Sequence, residues 1–145
     1  MTQEDKELLL KDLCARLPYG VKVNAKYTDL GETIEVDDIV KMIDADEFVG
    51  IEVMYDRSSS FICANIDDVK PYLFPMSSMT EEQKKEYNFW KHEVPVCHYE
   101  YGDVVEEVEL FDSPESFEYL IENHFDYRGL IEKGLAIDAT NKNIY

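Results

Sequence analysis

Residues 20–36 have the sequence GVKVNAKYTDLGETIEV, and their side chains alternate between apolar and polar from Val21 to Tyr27. A period of two residues is typical of a strand that buries one face. Asp29, Leu30 and Gly31 follow, and this combination of residues indicates a turn. The stretch therefore predicts a strand that turns back into a second strand, rather than a helix.

The alternation continues downstream, so residues 20–66 are predicted to form a single antiparallel meander. Its parts are predicted as one bent strand or two short ones over 33–36 and 39–43, a turn at 44–47, a strand over 48–55, a polar loop at 56–60 and a strand over 61–66. A meander must close on itself or be covered to hide its edges. The predicted fold class is therefore α+β: a small antiparallel meander or SH3-like barrel with an N-terminal helix and two to three further helices. Residues 67–72, DDVKPY, resemble the short turn that closes such barrels.

A helix is predicted to precede the meander, over residues 3–16, and to end at Pro18 and Gly20. Acidic residues near its start and basic residues near its end suit the helix dipole. Its predicted apolar stripe, at positions i, i+3, i+4 and i+7, consists of Leu10, Leu13, Cys14 and Leu17.

A second helix is predicted after the meander, from residue 80 to about residue 92. Thr80 with Gln83 has the pattern of a capping box, and Ser78 with Glu81 offers a competing one. An antiparallel strand pair is predicted next, with strands over 96–101 and 104–111 that turn at Gly102 and Asp103.

Ser113 and Pro114 predict the start of a third helix, as N-cap and first-turn proline. The residues predicted to face the core from it are Phe117, Leu120, Ile121 and His124. A last short helix is predicted through Tyr127, Leu130 and Ile131, with Gly134 at its end. The predicted organisation is a single compact domain over 1–145, with possible sub-units 1–75 (helix plus meander or barrel) and 76–139 (helices plus hairpin), and a loose tail at 140–145.

The composition describes a folded and strongly acidic chain of 145 residues. Its hydrophobic content of 45%, with 10 Tyr and 7 Phe, argues against disorder. Its 32 acidic and 14 basic residues give a net charge of -18, which disfavours direct binding to nucleic acid or to an anionic membrane. The N-terminus lacks the features of a signal peptide, and no apolar run approaches the roughly 18 residues of a membrane span. The expected location is the cytoplasm.

Catalytic and metal-binding motifs are weak in this sequence. Cys14, Cys63 and Cys97 are odd in number and widely spaced, which does not suit a disulfide framework or a zinc ribbon. His92, Cys97 and His98 offer metal-ligand chemistry, but H-x4-C-H is not a standard zinc spacing. Asp pairs at 37–38, 44/46 and 67–68 are typical of turns. No catalytic, cofactor-binding or metal-ligating residue is therefore assigned and no cofactor is expected; the alternative hypothesis is a small metal-dependent hydrolase or nuclease that uses clustered Asp and His residues.

The feature that stands out is a block of acidic residues. Between residues 92 and 127 there are eleven acidic residues and no Lys or Arg. One interpretation is an acidic face that is simply solvated; the other is a surface that binds a basic partner and imitates the spaced charges of a phosphate backbone. The residues predicted to form this face are Glu106, Glu107, Glu109, Asp112, Glu115, Glu118, Glu122 and Asp126.

Three stretches carry a resemblance to a known group: LLLKDLCARLPYGVKV (8–23), VKPYLFPMSSMTEEQKKEY (69–87) and HFDYRGLIEKGLAIDA (124–139). They resemble a group of short uncharacterised proteins of gut Bacteroidales genomes and of their phages and mobile elements. The resemblance implies a setting in bacterial or phage-infected cytoplasm, and it carries over no functional residue. The resulting hypothesis is a non-enzymatic protein that binds the basic surface of a host or phage protein. The more specific form of this hypothesis is an inhibitor that mimics nucleic acid. The oligomeric state is left open.

Overall fold

The computed structural model describes residues 1–44, 48–55 and 58–145 and divides the chain into two compact units. Unit 1 combines Met1–Ser78 with His124–Tyr145, and unit 2 is Met79–Asn123. The division thus falls at residues 78 and 123, and the C-terminal residues belong with the N-terminal unit. That the whole chain folds as one domain stays a prediction.

Unit 1 begins with the helix α1, Gln3–Arg16, which has the bounds that the sequence predicted. Thr2 and Asp5 cap it in a reciprocal capping box. The buried stripe lies one residue closer to the N-terminus than predicted: Cys14 is exposed, and Leu10 and Leu17 are only partly buried. The residues that α1 buries are Leu9, Asp12, Leu13 and Arg16.

The meander over residues 20–66 is confirmed, and a fifth strand extends it. The strands are β1 (Lys22–Asp29), β2 (Glu32–Ile43), β3 (Phe48–Tyr55), β4 (Ser58–Asn65) and β5 (Val69–Pro75). Each pairs antiparallel with the next up to β4, and β5 returns to pair antiparallel with β1. With the N-terminal helix and two further helices, the α+β fold class that the sequence predicted is confirmed.

Local details of the meander agree with the predicted turn at residues 29–31, whereas the predicted turn at 44–47 falls largely outside the described residues. Leu30 and Gly31 form the two-residue turn between β1 and β2, both with positive φ, 48° and 86°. This is the turn type that suits the twist of a hairpin. A bulge between Val40 and Met42 makes β2 one bent strand. The predicted polar loop at 56–60 was too long because β4 already begins at Ser58; residues 45–47 and 56–57 lie outside the described residues.

The core of unit 1 lies between α1 and the inner face of the meander. Alternate residues of β1 are buried, as their spacing predicted. The buried apolar side chains of this core are Leu9, Leu13, Val21, Val23, Ala25, Val40, Val49, Ile51, Ala64, Ile66, Val69, Leu73, Leu130, Leu135 and Ala136. Burial of this set is the main stabilising contribution to unit 1.

The C-terminal residues contain two short strands instead of the predicted last helix. Strands β8 (Phe125–Asp126) and β9 (Ile137–Asp138) pair parallel with β5, and the residues between them form turns. The Asp126 carboxylate accepts the backbone N–H groups of Leu130 and Ile131, which holds these turns. The predicted helix was wrong because pairing with β5 and this side-chain acceptor take the place of helical hydrogen bonds.

The predicted loose tail is instead attached to unit 1. The Tyr145 hydroxyl donates to the Tyr72 carbonyl oxygen at 2.9 Å and accepts from the Lys22 backbone N–H at 3.1 Å. The ring of Tyr145 stacks on His124 with centroids 4.0 Å apart. Lys22 Nζ donates to the Ile144 carbonyl oxygen at 2.6 Å. These contacts are long-range in sequence, and no local pattern predicts them.

Unit 2 contains two helices and a β-hairpin. They are α2 (Glu81–Phe89), β6 (His92–Glu100), β7 (Asp103–Phe111) and α3 (Pro114–Glu122). Thr80 and Gln83 cap α2, as predicted, and Ser113 caps α3. Helix α2 ends at Phe89, three residues before the predicted end at about residue 92, and β6 already begins at His92. No helix in the part of the chain that the structure describes combines the length and apolar character needed to cross a bilayer.

Candidate functional site

Three carboxylates of the predicted acidic face lie together on α3. Glu115, Glu118 and Glu122 are exposed and are spaced at i, i+3 and i+7. The buried residues of the helix are Ser116, Tyr119 and Leu120. The outward position of the three glutamates is therefore as predicted, whereas Phe117 was wrongly predicted to face the core and is 39% exposed.

These glutamates line a cleft of about 420 Å³ in unit 2. The other residues of the cleft are Glu86, Trp90, Tyr119 and Asn123. Burial, followed by the nearby Glu86 carboxylate, raises the pKa of Tyr119. Four carboxylates thus surround one cleft, an arrangement that favours a cationic occupant.

Sequence reasoning did not place Glu86 and Trp90 in the candidate site. They are four residues apart on α2 and its C-cap, so they project from the same side of the helix. Trp90 is 42% exposed, and its ring lies edge-on to that of Phe89 with centroids 5.1 Å apart. An exposed indole beside carboxylates is a suitable contact for a guanidinium or ammonium group. The i, i+4 spacing was visible in the sequence, but only α3 shows what the pair faces.

The hairpin carries the next part of the acidic face. Glu107 and Glu109 lie on one side of β7, opposite Val96 and Val94 of β6, and Glu106 lies on the other side, opposite Cys97. All three glutamates are exposed. The predicted alternation of β7 is confirmed, but Val108 and Leu110 are exposed as well. The hairpin therefore has carboxylates on both faces and an uncovered apolar row.

Asp112 is exposed, and its carboxylate contacts neighbouring side chains within unit 2. Its Oδ1 accepts hydrogen bonds from the Tyr87 hydroxyl and, at 3.1 Å, from Ser116 Oγ. Lys91 Nζ lies 4.0 Å from the same oxygen and 4.2 Å from the centroid of the Tyr87 ring. Burial, then the hydrogen bond to Asp112, raises the pKa of Tyr87. Asp112 thus joins α2 to the start of α3 and is exposed on the same unit as the α3 glutamates.

Asp126 was wrongly predicted to lie on the acidic face. It is in unit 1, is only 8% exposed, and both carboxylate oxygens accept backbone N–H groups, from Leu130 at 2.9 Å and Ile131 at 2.8 Å. A buried carboxylate with two such donors has a structural role.

Replacing Asp126 by Asn is expected to lower the free energy of unfolding by about 1 to 2 kcal/mol, because one charge-assisted acceptor becomes an amide that cannot accept. Urea denaturation of the full chain measures this change. Glu132→Gln is the matched control, since Glu132 is exposed in the same segment and should change stability by less than about 0.5 kcal/mol. Equal unfolding midpoints for the two variants would contradict the structural role.

The residues with metal-ligand chemistry do not converge. His92 lies on β6 and not at the predicted helix end, and it shares a face of that strand with His98, whereas Cys97 is on the other face. Six residues of strand separate the two histidines by about 20 Å. Within residues 1–44, 48–55 and 58–145, no three His, Cys, Asp or Glu side chains come close enough together to hold a metal ion.

Asp37 and Asp67, from two of the predicted aspartate pairs, contact neighbouring elements, whereas residue 46 of the pair 44/46 lies outside the described residues. Asp37 Oδ1 accepts from Asn24 Nδ2 at 2.9 Å and from the Tyr72 hydroxyl at 2.7 Å. Burial, followed by this Asp37 hydrogen bond, raises the pKa of Tyr72 to about 12. Asp67 pairs with Lys6 at 2.8 Å. These contacts hold strands and turns in place, and the hydrolase hypothesis gains no specific observation from them.

Comparison with family models, curated proteins and solved structures found nothing similar to this chain. The candidate site therefore rests on its own geometry: the α3 glutamates, Glu86 and Trp90 around the cleft, with the hairpin glutamates in the same unit.

Proposed function

We propose that this protein is a non-enzymatic binding protein that uses the acidic surface of unit 2 to bind a basic surface of a host or phage protein in bacterial cytoplasm. The observation that carries the proposal is the cleft, in which four carboxylates surround an exposed tryptophan. Unit 2 has 13 acidic residues and three lysines among its 45 positions. An excess of this size attracts cationic partners and speeds their association.

The spacing of the glutamates on α3 supports a cationic partner, because their like charges repel one another in the free protein. Glu118 and Glu122 are spaced at i, i+4 on α3. Like charges at this spacing cost a few tenths of a kcal/mol per pair. A cationic partner would remove this cost on binding.

The chemistry of the cleft favours arginine over lysine as the group bound. A guanidinium is planar, stacks on an aromatic ring and donates to two carboxylates at once, whereas an ammonium acts as a compact charge. Trp90 supplies the ring, and glutamates on two helices supply the acceptors. We therefore expect an exposed arginine at the centre of the partner surface.

Reversing the α3 charges is expected to weaken binding at least tenfold. The variant carries Glu115→Lys, Glu118→Lys and Glu122→Lys, and each position is exposed, so the helix should persist. The measurement is quantitative capture of proteins from bacterial lysate at about 50 mM and about 300 mM salt, since screening should weaken capture by the unaltered protein.

A control for this experiment changes the net charge equally on a different surface. Glu7→Lys, Glu32→Lys and Glu132→Lys are all exposed positions of unit 1. Proteins lost with the α3 variant but retained with the unit 1 variant are the partners of the cleft. If both variants capture the same proteins as the unaltered chain, the acidic face is only solvated surface.

The inhibitor form of the proposal is tested with the captured partner. For these carboxylates to inhibit the partner by imitating a phosphate backbone, the partner must itself bind nucleic acid. Duplex DNA should then compete with this protein for the partner, and the partner should lose its DNA when this protein is added. A partner that binds both at once would exclude the mimic.

A further inference from the structure

The β6–β7 hairpin leaves an apolar face uncovered. Its register places one row from each strand on that face: Pro95, Cys97 and Tyr99 of β6, and Val104, Val108 and Leu110 of β7. Tyr99 is 82% exposed, Val104 59%, Val108 65% and Leu110 45%. The acidic residues on the same face are Glu93 and Glu106.

An uncovered hairpin of this length is unusual. Two strands alone are marginally stable in water, and a third strand or a covering layer is normally needed. Across the described residues, β6 and β7 pair only with each other. A long edge strand with exposed apolar side chains can accept a strand from another chain. The hairpin is therefore one strand short of a stable small sheet.

The two edges of the hairpin are not equivalent. Pro95 lies within β6 and has no N–H to donate, and proline is a common way of blocking an edge. The β7 sequence, DVVEEVELF, contains no proline and no glycine. β7 is thus the edge that can accept a further strand.

We propose that the β7 edge binds an extended segment of a basic protein, in which Lys or Arg alternates with apolar residues, as a third strand. On one face its basic side chains would lie beside Glu107 and Glu109, and on the other its apolar side chains would cover Val108 and Leu110. Opposite charges and apolar pairs across strands both stabilise a sheet. The inference rests on the proposed function, because it names the kind of segment that the acidic unit binds.

Charge complementarity selects this occupant over a second copy of the chain. Two copies paired through β7 would bring the three glutamates of each β7 strand into one small sheet, and like charges close together across strands are destabilising. The segment from 92 to 127 has no Lys or Arg with which to compensate. A basic strand would neutralise the glutamates of β7, whereas a second copy would add more negative charge beside them.

The test measures binding of two synthetic peptides to the full chain by isothermal titration calorimetry. One peptide has nine residues that alternate lysine and valine, and the other has the same composition with lysines and valines in separate blocks. We expect the alternating peptide to bind at least tenfold more tightly and to protect the β7 amides from hydrogen exchange. Equal affinities would mean that only net charge is recognised, and would overturn the proposal.

Variants of the apolar face supply the second arm. Val108→Thr with Leu110→Thr keeps β-forming side chains and is expected to lower the affinity for the alternating peptide at least tenfold. Val94→Thr with Phe111→Thr changes the opposite face of the hairpin and is the matched control, expected to stay within about threefold. Equal effects of the two double variants would overturn the proposal. So would a dimer of the unaltered chain, by light scattering, that Val108→Thr with Leu110→Thr converts to a monomer.

The lysate experiment separates the two proposals. If charge reversal on α3 removes a partner that Val108→Thr with Leu110→Thr retains, the proposed function stands and the hairpin inference fails. Loss of that partner with both variants supports the hairpin inference. If every variant captures the same proteins, the proposed function fails together with the inference that rests on it.

Discussion

Replacing Arg16 by methionine is expected to lower the free energy of unfolding by about 3 to 5 kcal/mol. The Arg16 side chain is fully buried and donates to the Asp12 carboxylate from Nε at 2.7 Å and from Nη2 at 3.1 Å. Nη2 also donates to the Phe125 carbonyl oxygen at 2.7 Å, which ties α1 to β8. Without Arg16, the buried carboxylate loses these donors and keeps its ion pair with Arg128, whose Nε lies 3.3 Å from Asp12 Oδ1.

Two further variants make the Arg16 experiment specific. Lys11→Met changes an exposed basic residue of the same helix and should shift stability by less than about 0.5 kcal/mol. Asp12→Leu combined with Arg16→Met removes both charges and should be more stable than Arg16→Met alone, because the Asp12 carboxylate is no longer buried without Arg16. Urea denaturation provides all three values. A double variant that is less stable than the single one would show that the pair contributes more than charge compensation.

Acidification is expected to destabilise the protein through His124, by about 2 to 3 kcal/mol between pH 7.5 and pH 4.5. Burial, followed by the nearby Arg16 charge, lowers the pKa of His124 from 6.5 to about 4. The unfolded chain therefore binds a proton between pH 6.5 and 4 that the folded chain does not, and stability falls as the pH falls through that window. Above pH 6.5 the contribution is fully present.

The local geometry explains why the folded protein keeps His124 neutral. The side chain is 7% exposed, its Nδ1 is buried without a hydrogen-bond partner, and its ring stacks on Tyr145. A proton on this ring would be buried close to the Arg16 guanidinium. Protonation should therefore weaken the attachment of the C-terminal residues first.

His124→Phe keeps an aromatic ring against Tyr145 and removes the titrating group. The difference in unfolding free energy between this variant and the unaltered protein, measured from pH 7.5 to pH 4.5, isolates the contribution of His124 from that of the carboxylates. His98→Phe makes the same substitution at an exposed position of the hairpin and controls for the added phenyl ring. Parallel pH profiles for His124→Phe and the unaltered protein would refute a lowered pKa.

The candidate site was predicted in part. The helical period places the α3 glutamates on the side away from the buried Leu120, so their outward position was predicted even though Phe117 was wrongly placed in the core and Tyr119 was left out of it. Asp126 could not be assigned correctly, since its partners are the backbone N–H groups of Leu130 and Ile131 in turns that the sequence predicted as helix. Glu86 and Trp90 could not be assigned from the sequence, because only the packing of α2 beside α3 shows that they line the same cleft.

By itself, the sequence determined the features that depend on neighbouring residues. The capping box at Thr80, the N-cap at Ser113, the turn at Leu30 and Gly31, and the alternation of β1 are interactions within a few positions. Such interactions are encoded locally, so periodicity and turn chemistry suffice to find them.

Tertiary structure alone decided which side of α1 is buried, and where the C-terminal residues go. A charged residue is predicted at the surface unless its partner is known, and Arg16 is buried only because Asp12 and the Phe125 carbonyl oxygen, 109 residues away, accept its hydrogen bonds. Strands β8 and β9 have two residues each and exist because β5 supplies their hydrogen bonds. Contacts between residues distant in the chain leave no periodic trace in the sequence, and these contacts set the burial of Arg16, the fixed tail and the role of Asp126.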